Sequence, residues 1–288
     1  MRNFSYSSMG TGWEITIWEE IPSSNFENIK GEVMQICKNF DETYSRFKET
    51  SLVWEIAREK GVYTVPEDFM LMLQMYMKLY PLSQKKLNPL IGFTISDLGY
   101  DKDYSLTPKN EIRKTPDLFD TVKILSGTQI ETKEKILFDF GALGKGYAVD
   151  KVSNYLKERG LKKFMVNGSG DIYYFGEGQI SVGLEDPDDK TKVIGKIEMA
   201  KGAMCASGTN RRKWRDYHHV IDPETSLSTK GVVATWVISD STALSDALAS
   251  CLFFVPPENL KEKFSFEYCI LNEERKIKNS AGFNAEFF

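Results

Sequence analysis

The chain has 288 residues, 41% hydrophobic and 27% charged, with 37 Lys and Arg against 41 Asp and Glu for a net charge of −4. That length and apolar fraction suit a chain that buries a full core, and the scattered basic residues exclude the concentrated positive footprint of a nucleic-acid binder. No stretch approaches the roughly 18 consecutive apolar residues of a membrane-spanning helix, so no membrane span is expected.

In chain order, the opening MRNFSYSSMGTGW has no apolar leader core, and the first cysteine comes too late for a lipid anchor, so the expected localisation is cytoplasmic. Residues 12–18 alternate like a strand, with Trp13, Ile15 and Ile17 on one side. Ser24 reads as the cap of a helix in which Ile29, Val33, Ile36 and Phe40 recur at helical spacing. Residues 66–80 form a second, methionine-rich helix whose stripe is better explained by core packing than by a cofactor. Between residues 86 and 120 the pattern weakens, with turns at Asn88-Pro89, Leu98-Gly99 and Thr115-Pro116.

Ile124, Ile130 and residues 136–138 suggest strands that lead into the segment DFGALGKGYAVDKV, residues 139–152, followed by helical periodicity over 147–159 that stops at Gly160. Short strand-like runs follow at 163–166, 171–174, 179–184, 193–199, 219–221 and 232–239, then a helix over 242–254 and a late strand over 268–271. Helices and strands do not alternate regularly, and neither repeats nor a linker interrupt the chain. The expectation is one α+β domain over residues 1–288, with mixed, mainly antiparallel sheets and packed helices. Cys37, Cys205, Cys251 and Cys269 show no metal spacing and read as buried thiols of a reducing compartment.

Residues 139–152 look like a phosphate loop but match none of the familiar ones. A P-loop needs Ser or Thr after Gly-Lys, where Gly146 stands here, and a dinucleotide fingerprint lacks its third glycine. A kinase Asp-Phe-Gly would require a His-Arg-Asp upstream, but His218 and His219, the chain's two histidines, lie downstream. What remains is a strand, a glycine turn and a helix N-terminus, which presents N–H groups and a positive dipole end to an anion.

Asp246 and Ser250 are spaced i, i+4 and share a helix face, a pair of hard oxygens suited to Mg²⁺, although a solvated aspartate explains the spacing as well. His218 and His219 face opposite sides of an extended segment, so at most one of them serves a given site. A lone histidine is more often structural, yet no other residue here offers a near-neutral base. Residues 167–171 (NGSGD) read alone as a turn, or as glycines allowing close backbone approach to a ligand. Residues 207–212 (SGTNRR) are either a loop with two solvated arginines or a phosphate clamp.

In order along the chain, these segments resemble the ApbE family, the FAD:protein FMN transferases. The matching residues are Met9-Gly10-Thr11, Tyr44-Ser45-Arg46-Phe47 with Ser51, Val53 and Ile56, residues 139–152, NGSGD, LEDPDD from Leu184, SGTN from Ser207, HHVIDPET from His218 and DALAS from Asp246. Residues 86–120 match least, with Asn88-Pro89-Leu90 standing for a Phe-Asp-Pro-Thr block. The resemblance implies a T-fold-related α+β fold that takes FAD as substrate with Mg²⁺ on its pyrophosphate.

By that resemblance Asp246, the Ser250 hydroxyl and the Gly144 carbonyl hold the metal. Lys145 lies beside the pyrophosphate, with Asp139 and Asp150 ordering the turn and nucleotide. Met9 and Phe47 lie near the flavin, Ser207 and Gly208 in the cofactor-binding SGTN block, and His219 is the active-site histidine with Asp171 as a second proton acceptor. FMN would pass to a Ser or Thr hydroxyl of an acceptor protein carrying a Ser/Thr-Gly-Ala-Thr type motif, a redox subunit or flavin reductase, with AMP released. A Mg²⁺-dependent FAD pyrophosphatase or a non-catalytic FAD binder would use the same residues. Four positions depart from the family pattern: Ser250 replaces threonine, Gly144 alanine and Ser169 the second glycine of Gly-Gly-Asp, while Phe47 lacks a hydroxyl or indole.

Overall fold

Trp13, Ile15 and Ile17 alternate with polar neighbours, and in the computed structural model, which describes residues 1–288, they point to the buried face of a strand. That strand, β2 (Thr11–Ile17), pairs with β1 (Arg2–Ser8) in a hairpin and leads into α1 (Ser23–Tyr44) and α2 (Leu52–Arg58). Strand β3 (Gly61–Thr64), helix α3 (Glu67–Leu82), a 3₁₀ turn at Pro89–Ile91, α4 (Gly92–Asp97) and α5 (Leu118–Thr121) follow. Strands β4 (Val122–Ser126) and β5 (Gln129–Thr132) precede α6 (Gly144–Glu158).

The second half is strand-rich. It contains β6 (Phe164–Asn167), β7 (Asp171–Phe175), β8 (Ile180–Glu185), β9 (Val193–Met199) and β10 (Gly202–Gly208). Four two-residue strands come next: β11 (Lys213–Trp214), β12 (Tyr217–His218), β13 (Ile221–Asp222) and β14 (Leu227–Ser228). Then come β15 (Val232–Ser239), α7 (Thr242–Cys251), α8 (Glu258–Lys261), β16 (Glu267–Asn272), β17 (Ile277–Asn279) and β18 (Ala285–Phe287).

An eight-stranded antiparallel sheet, ordered β1-β2-β6-β7-β10-β15-β16-β17, organises the fold. Its two faces bury different partners, as strand periodicity requires. On β7, Tyr173 joins the helical core with Val149 of α6 and Leu248 of α7, while Ile172 and Tyr174 turn to the other face. That second face packs on the small sheet β18-β9-β8 through residues such as Leu184, Ile197 and Trp236. The architecture is therefore α+β with mainly antiparallel sheets, as the absence of βαβ alternation predicts. All four cysteines are free and buried. No helix is long and apolar enough to cross a membrane.

Several boundaries differ from the sequence reading. Ser24 lies inside α1, whose N-cap is Pro22 and whose first turn has no side-chain cap. Residues 136–138 are fully buried but join no ladder. They run against the turn at Pro89, where the Gly92 N–H donates to the Leu137 carbonyl at 3.1 Å and the Asp139 N–H to the Pro89 carbonyl at 2.8 Å. A side chain on Gly92 would meet that Leu137 carbonyl at 2.3 Å, so glycine is needed for this approach. Helix α6 starts three residues earlier than its apolar period suggests.

Candidate active site

The turn at residues 139–143 and the start of α6 form the floor of a cleft of about 820 Å³. Asp139 shapes the turn, accepting the Gly141 N–H on Oδ1 at 2.6 Å and the Arg46 Nε–H on Oδ2 at 2.6 Å. Helix α6 then begins with Gly144, and its Lys145 lines the cleft. Gly146 is the contact point with α7. A Cβ there would lie 2.4 Å from the Thr242 carbonyl oxygen and 2.9 Å from the Asp246 Cβ. Close packing lets the Gly146 N–H donate to Asp246 Oδ2 at 3.1 Å.

Charge is concentrated beneath the cleft. Asp171, at the start of β7, is fully buried and ion-paired with Lys145, and no backbone N–H reaches its oxygens. Burial, and then the neighbouring Asp171 charge, push the Asp246 carboxyl well above its ordinary range. Burial opposes the Lys145 charge as well, but Asp171 and Asp246 outweigh it and raise its pKa. Two carboxyls against one ammonium make a buried oxygen cluster that a further cation would complete. The Ser250 hydroxyl adds a donor beside them, 3.5 Å from the Ala142 carbonyl. No group of three or more His, Cys, Asp or Glu could hold a metal, so an ion here would rely on hydroxyl, carbonyl and substrate oxygens. Such a donor set fits Mg²⁺.

The opposite end of the cleft is aromatic. Phe47 stacks on Tyr104 with centroids 5.3 Å apart, and Tyr100 stacks on Trp214 at 5.4 Å. Arg46 is 5% exposed and lies over Phe47 with its guanidinium carbon 4.1 Å from the ring centroid, while its NH1 group donates to the Tyr100 carbonyl at 2.6 Å. Between the two ends His219 lines the cleft with a buried, unpartnered Nδ1. Burial first, then the charge of Arg212, holds this imidazole well below its ordinary pKa and so neutral. Arg212 also faces the cleft and is in no ion pair, whereas Arg211 bonds Glu185 at 2.6 Å and Ser169 Oγ at 2.9 Å.

The cleft gathers Met9, Phe47, Asp139, Gly144, Lys145, Ser207, Gly208, His219, Asp246 and Ser250 from six separate stretches of sequence. Asp150 stands apart. It lines no part of the cleft, because its oxygens accept from Ser241 Oγ at 2.8 Å and from the Thr242 and Ala243 N–H groups at 2.9 Å each. In this structure it therefore caps α7. Asp171 lies behind the cleft wall, reaching it through Lys145. His218 turns away, its Nε2 2.9 Å from the Thr229 carbonyl. Sequence reasoning gave no role to Arg46, Tyr100, Tyr104 or Trp214. A signal for Arg46 existed in its place beside Phe47, but the aromatic loop carries none.

A sequence model of the ApbE family matches residues 9–267, well over half of the chain. The chain belongs to the ApbE family. It is 27% identical over 200 residues to a FAD:protein FMN transferase of Rhodobacter capsulatus, an alignment covering 63% of this chain and 37% of that protein's length. A Vibrio cholerae FAD:protein FMN transferase is 22% identical over 276 residues, 89% of this chain and 82% of the relative. Among solved structures, the ApbE protein of Thermotoga maritima superposes with a TM-score of 0.81 at 20% identity, covering 98% of this chain and 97% of the other. The flavin transferase ApbE from Vibrio cholerae gives 0.78 at 17% identity over the same shares of each chain. At these identities the structural likeness establishes the fold.

This ApbE chain accommodates its departures from the family pattern locally. An alanine Cβ at Gly144 would sit 3.4 Å from Phe140 and 3.7 Å from the Phe40 ring, ordinary contacts, so either residue fits. Ser169 occupies a left-handed conformation at φ 61°, one that glycine adopts without strain.

Proposed function

We propose that the chain transfers FMN from FAD to a Ser or Thr hydroxyl of an acceptor flavoprotein and releases AMP. The observation that carries this reading is one cleft with an aromatic end, a buried Lys-Asp-Asp cluster at a helix N-terminus and a neutral imidazole between them. An isoalloxazine ring suits the aromatic end, and a pyrophosphate suits Lys145, Arg212 and the positive end of α6. Asp246, the Ser250 hydroxyl and a carbonyl of the 142–144 turn would hold Mg²⁺, which supplies positive charge against the developing negative charge on phosphate oxygens.

In the reaction, the acceptor hydroxyl oxygen bonds to the FMN-side phosphorus while the bond to the AMP phosphate breaks. His219, neutral at pH 7, accepts the hydroxyl proton, with Asp171 as the second candidate acting through Lys145. The arrangement then works chiefly by positioning and charge neutralisation. The acceptor is expected to be a redox subunit or flavin reductase with a Ser/Thr-Gly-Ala-Thr type motif, encountered in the cytoplasm. Ser207-Gly208-Thr209 of this chain is not such a motif, so self-modification is not expected.

The test is intact mass spectrometry of a protein carrying the acceptor motif, incubated with this chain, FAD and Mg²⁺, beside Asp246→Ala. A mass gain of one FMN phosphoester that disappears in the variant supports the transferase. FAD converted to FMN and AMP without a mass gain would make water the nucleophile and the enzyme a pyrophosphatase. Tight FAD binding without AMP would leave a binding protein.

A further inference from the structure

Phe47 lines the aromatic end of the cleft with its ring packed against Arg46 and Tyr104. The Arg46 guanidinium carbon lies 4.1 Å from the ring centroid, and the Tyr104 ring runs parallel to that of Phe47, 4° off, with centroids 5.3 Å apart. Arg46 cannot yield, because Asp139 and the Tyr100 carbonyl hold it and it is buried. Tyr104 can. It is 53% exposed and sits at the tip of a loop between α4 and α5.

The base of that loop is firm. Buried Asp97 receives Lys109 Nζ at 2.8 Å and Arg113 Nε at 2.6 Å, and Asp101 accepts from the Asp103 and Ser105 N–H groups at 3.0 Å. At the tip, Tyr104 and Leu106 both adopt φ 50°, a region that side-chain-bearing residues avoid. A strained, exposed tyrosine is thus held over the cleft's aromatic end. A flat ring entering between Phe47 and Tyr104 needs the two faces about 7 Å apart, twice the ordinary carbon contact, so Tyr104 must move outward.

We propose that Tyr104 is a flavin-ring-binding residue of this chain: it covers Phe47, gives way to the entering isoalloxazine ring and stacks on that ring's far face. This rests on the FAD reading above and adds to it a residue from the segment least like the family. Because stacking reads the ring and not the phosphates, Tyr104 should affect riboflavin, FMN and FAD alike and leave ADP untouched.

The experiment compares wild type, Tyr104→Asn and Tyr104→Phe. Asparagine tolerates the left-handed conformation, so it removes the ring while keeping the loop. Riboflavin and FAD are titrated by quenching of flavin fluorescence, and ADP by calorimetry. Tyr104→Asn is expected to weaken both flavins about tenfold and to reduce the quenching at saturation, with ADP affinity unchanged and Tyr104→Phe matching wild type. Equal flavin affinity and quenching in wild type and Tyr104→Asn would overturn the proposal while leaving the transferase reading intact. A wild-type protein that binds neither flavin would overturn both.

Discussion

Replacing Gly146 with alanine tests whether the approach of α6 to α7 builds the site. The added Cβ would lie 2.4 Å from the Thr242 carbonyl oxygen, 2.7 Å from its carbon and 2.9 Å from the Asp246 Cβ, atoms of a helix that cannot rotate away. Such overpacking costs about 1–3 kcal/mol. Separating the helices also strains the Gly146 N–H bond to Asp246, a buried contact whose loss costs roughly 1–3 kcal/mol. Better helix propensity returns about 1 kcal/mol at most. The net loss of about 2–4 kcal/mol lowers Tm by roughly 4–8 °C in a chain of this size. Gly144→Ala, two residues earlier, meets nothing closer than 3.4 Å and should leave Tm within about 1–2 °C of wild type. Differential scanning calorimetry of both variants decides. Equal Tm values for Gly146→Ala and wild type would refute the claim that this glycine sets the helix contact.

Other perturbations reach the site from different sides. His219→Asn should slow FMN transfer about 10²–10⁴-fold, measured by AMP formation at saturating FAD. The same variant bears on stability: His218 and His219 are both held below their ordinary pKa, so the unfolded chain binds more protons and stability falls as pH drops through about 6.5. Each histidine contributes a slope of up to about 1.4 kcal/mol per pH unit there, and His219→Asn should remove one such contribution in urea melts at pH 5.5–7.5. Ser169→Gly relieves the φ 61° strain and should stabilise the chain by about 1 kcal/mol, while freeing Arg211 from the serine hydroxyl, as a raised urea midpoint would report. Asp150→Ala removes three hydrogen bonds from the start of α7 and should cost about 2–3 kcal/mol in the same melts and raise the Mg²⁺ concentration needed for half-maximal activity.

Much of this molecule was legible because its physics is periodic. Strand β2 and helix α1 announce themselves through Trp13, Ile15, Ile17 and through Ile29, Val33 and Phe40, which all end up buried. Strand β10 escaped because Gly202–Gly208 is made of small residues with little strand preference, and the two neighbouring strands impose its conformation. Residues 136–138 misled in the opposite sense: a buried apolar run looks like a strand whether or not a ladder partner exists. The start of α6 was masked by Gly144 and Gly146, poor helix formers, of which Gly146 is kept for the space it leaves to α7. The aromatic end was invisible because Phe47, Tyr100, Tyr104 and Trp214 meet only in three dimensions.

The aspartates show how hydrogen-bond capacity separates structural from chemical roles. A carboxylate whose oxygens are both engaged by the protein has little left to offer a ligand. Asp139 spends one oxygen on the Gly141 N–H and the other on Arg46, and Asp150 spends both on the start of α7. Each fixes one wall: Asp139 ties the turn to the arginine under Phe47, and Asp150 sets the helix that carries Asp246 and Ser250. Asp246 keeps Oδ1 free of protein donors, and Asp171 is ion-paired with Lys145 and receives no backbone N–H. Burying such under-satisfied carboxylates is costly to the fold alone. The chain retains them where a helix N-terminus, a lysine and an open cleft converge, which is where a bound cation and a pyrophosphate would offset that cost.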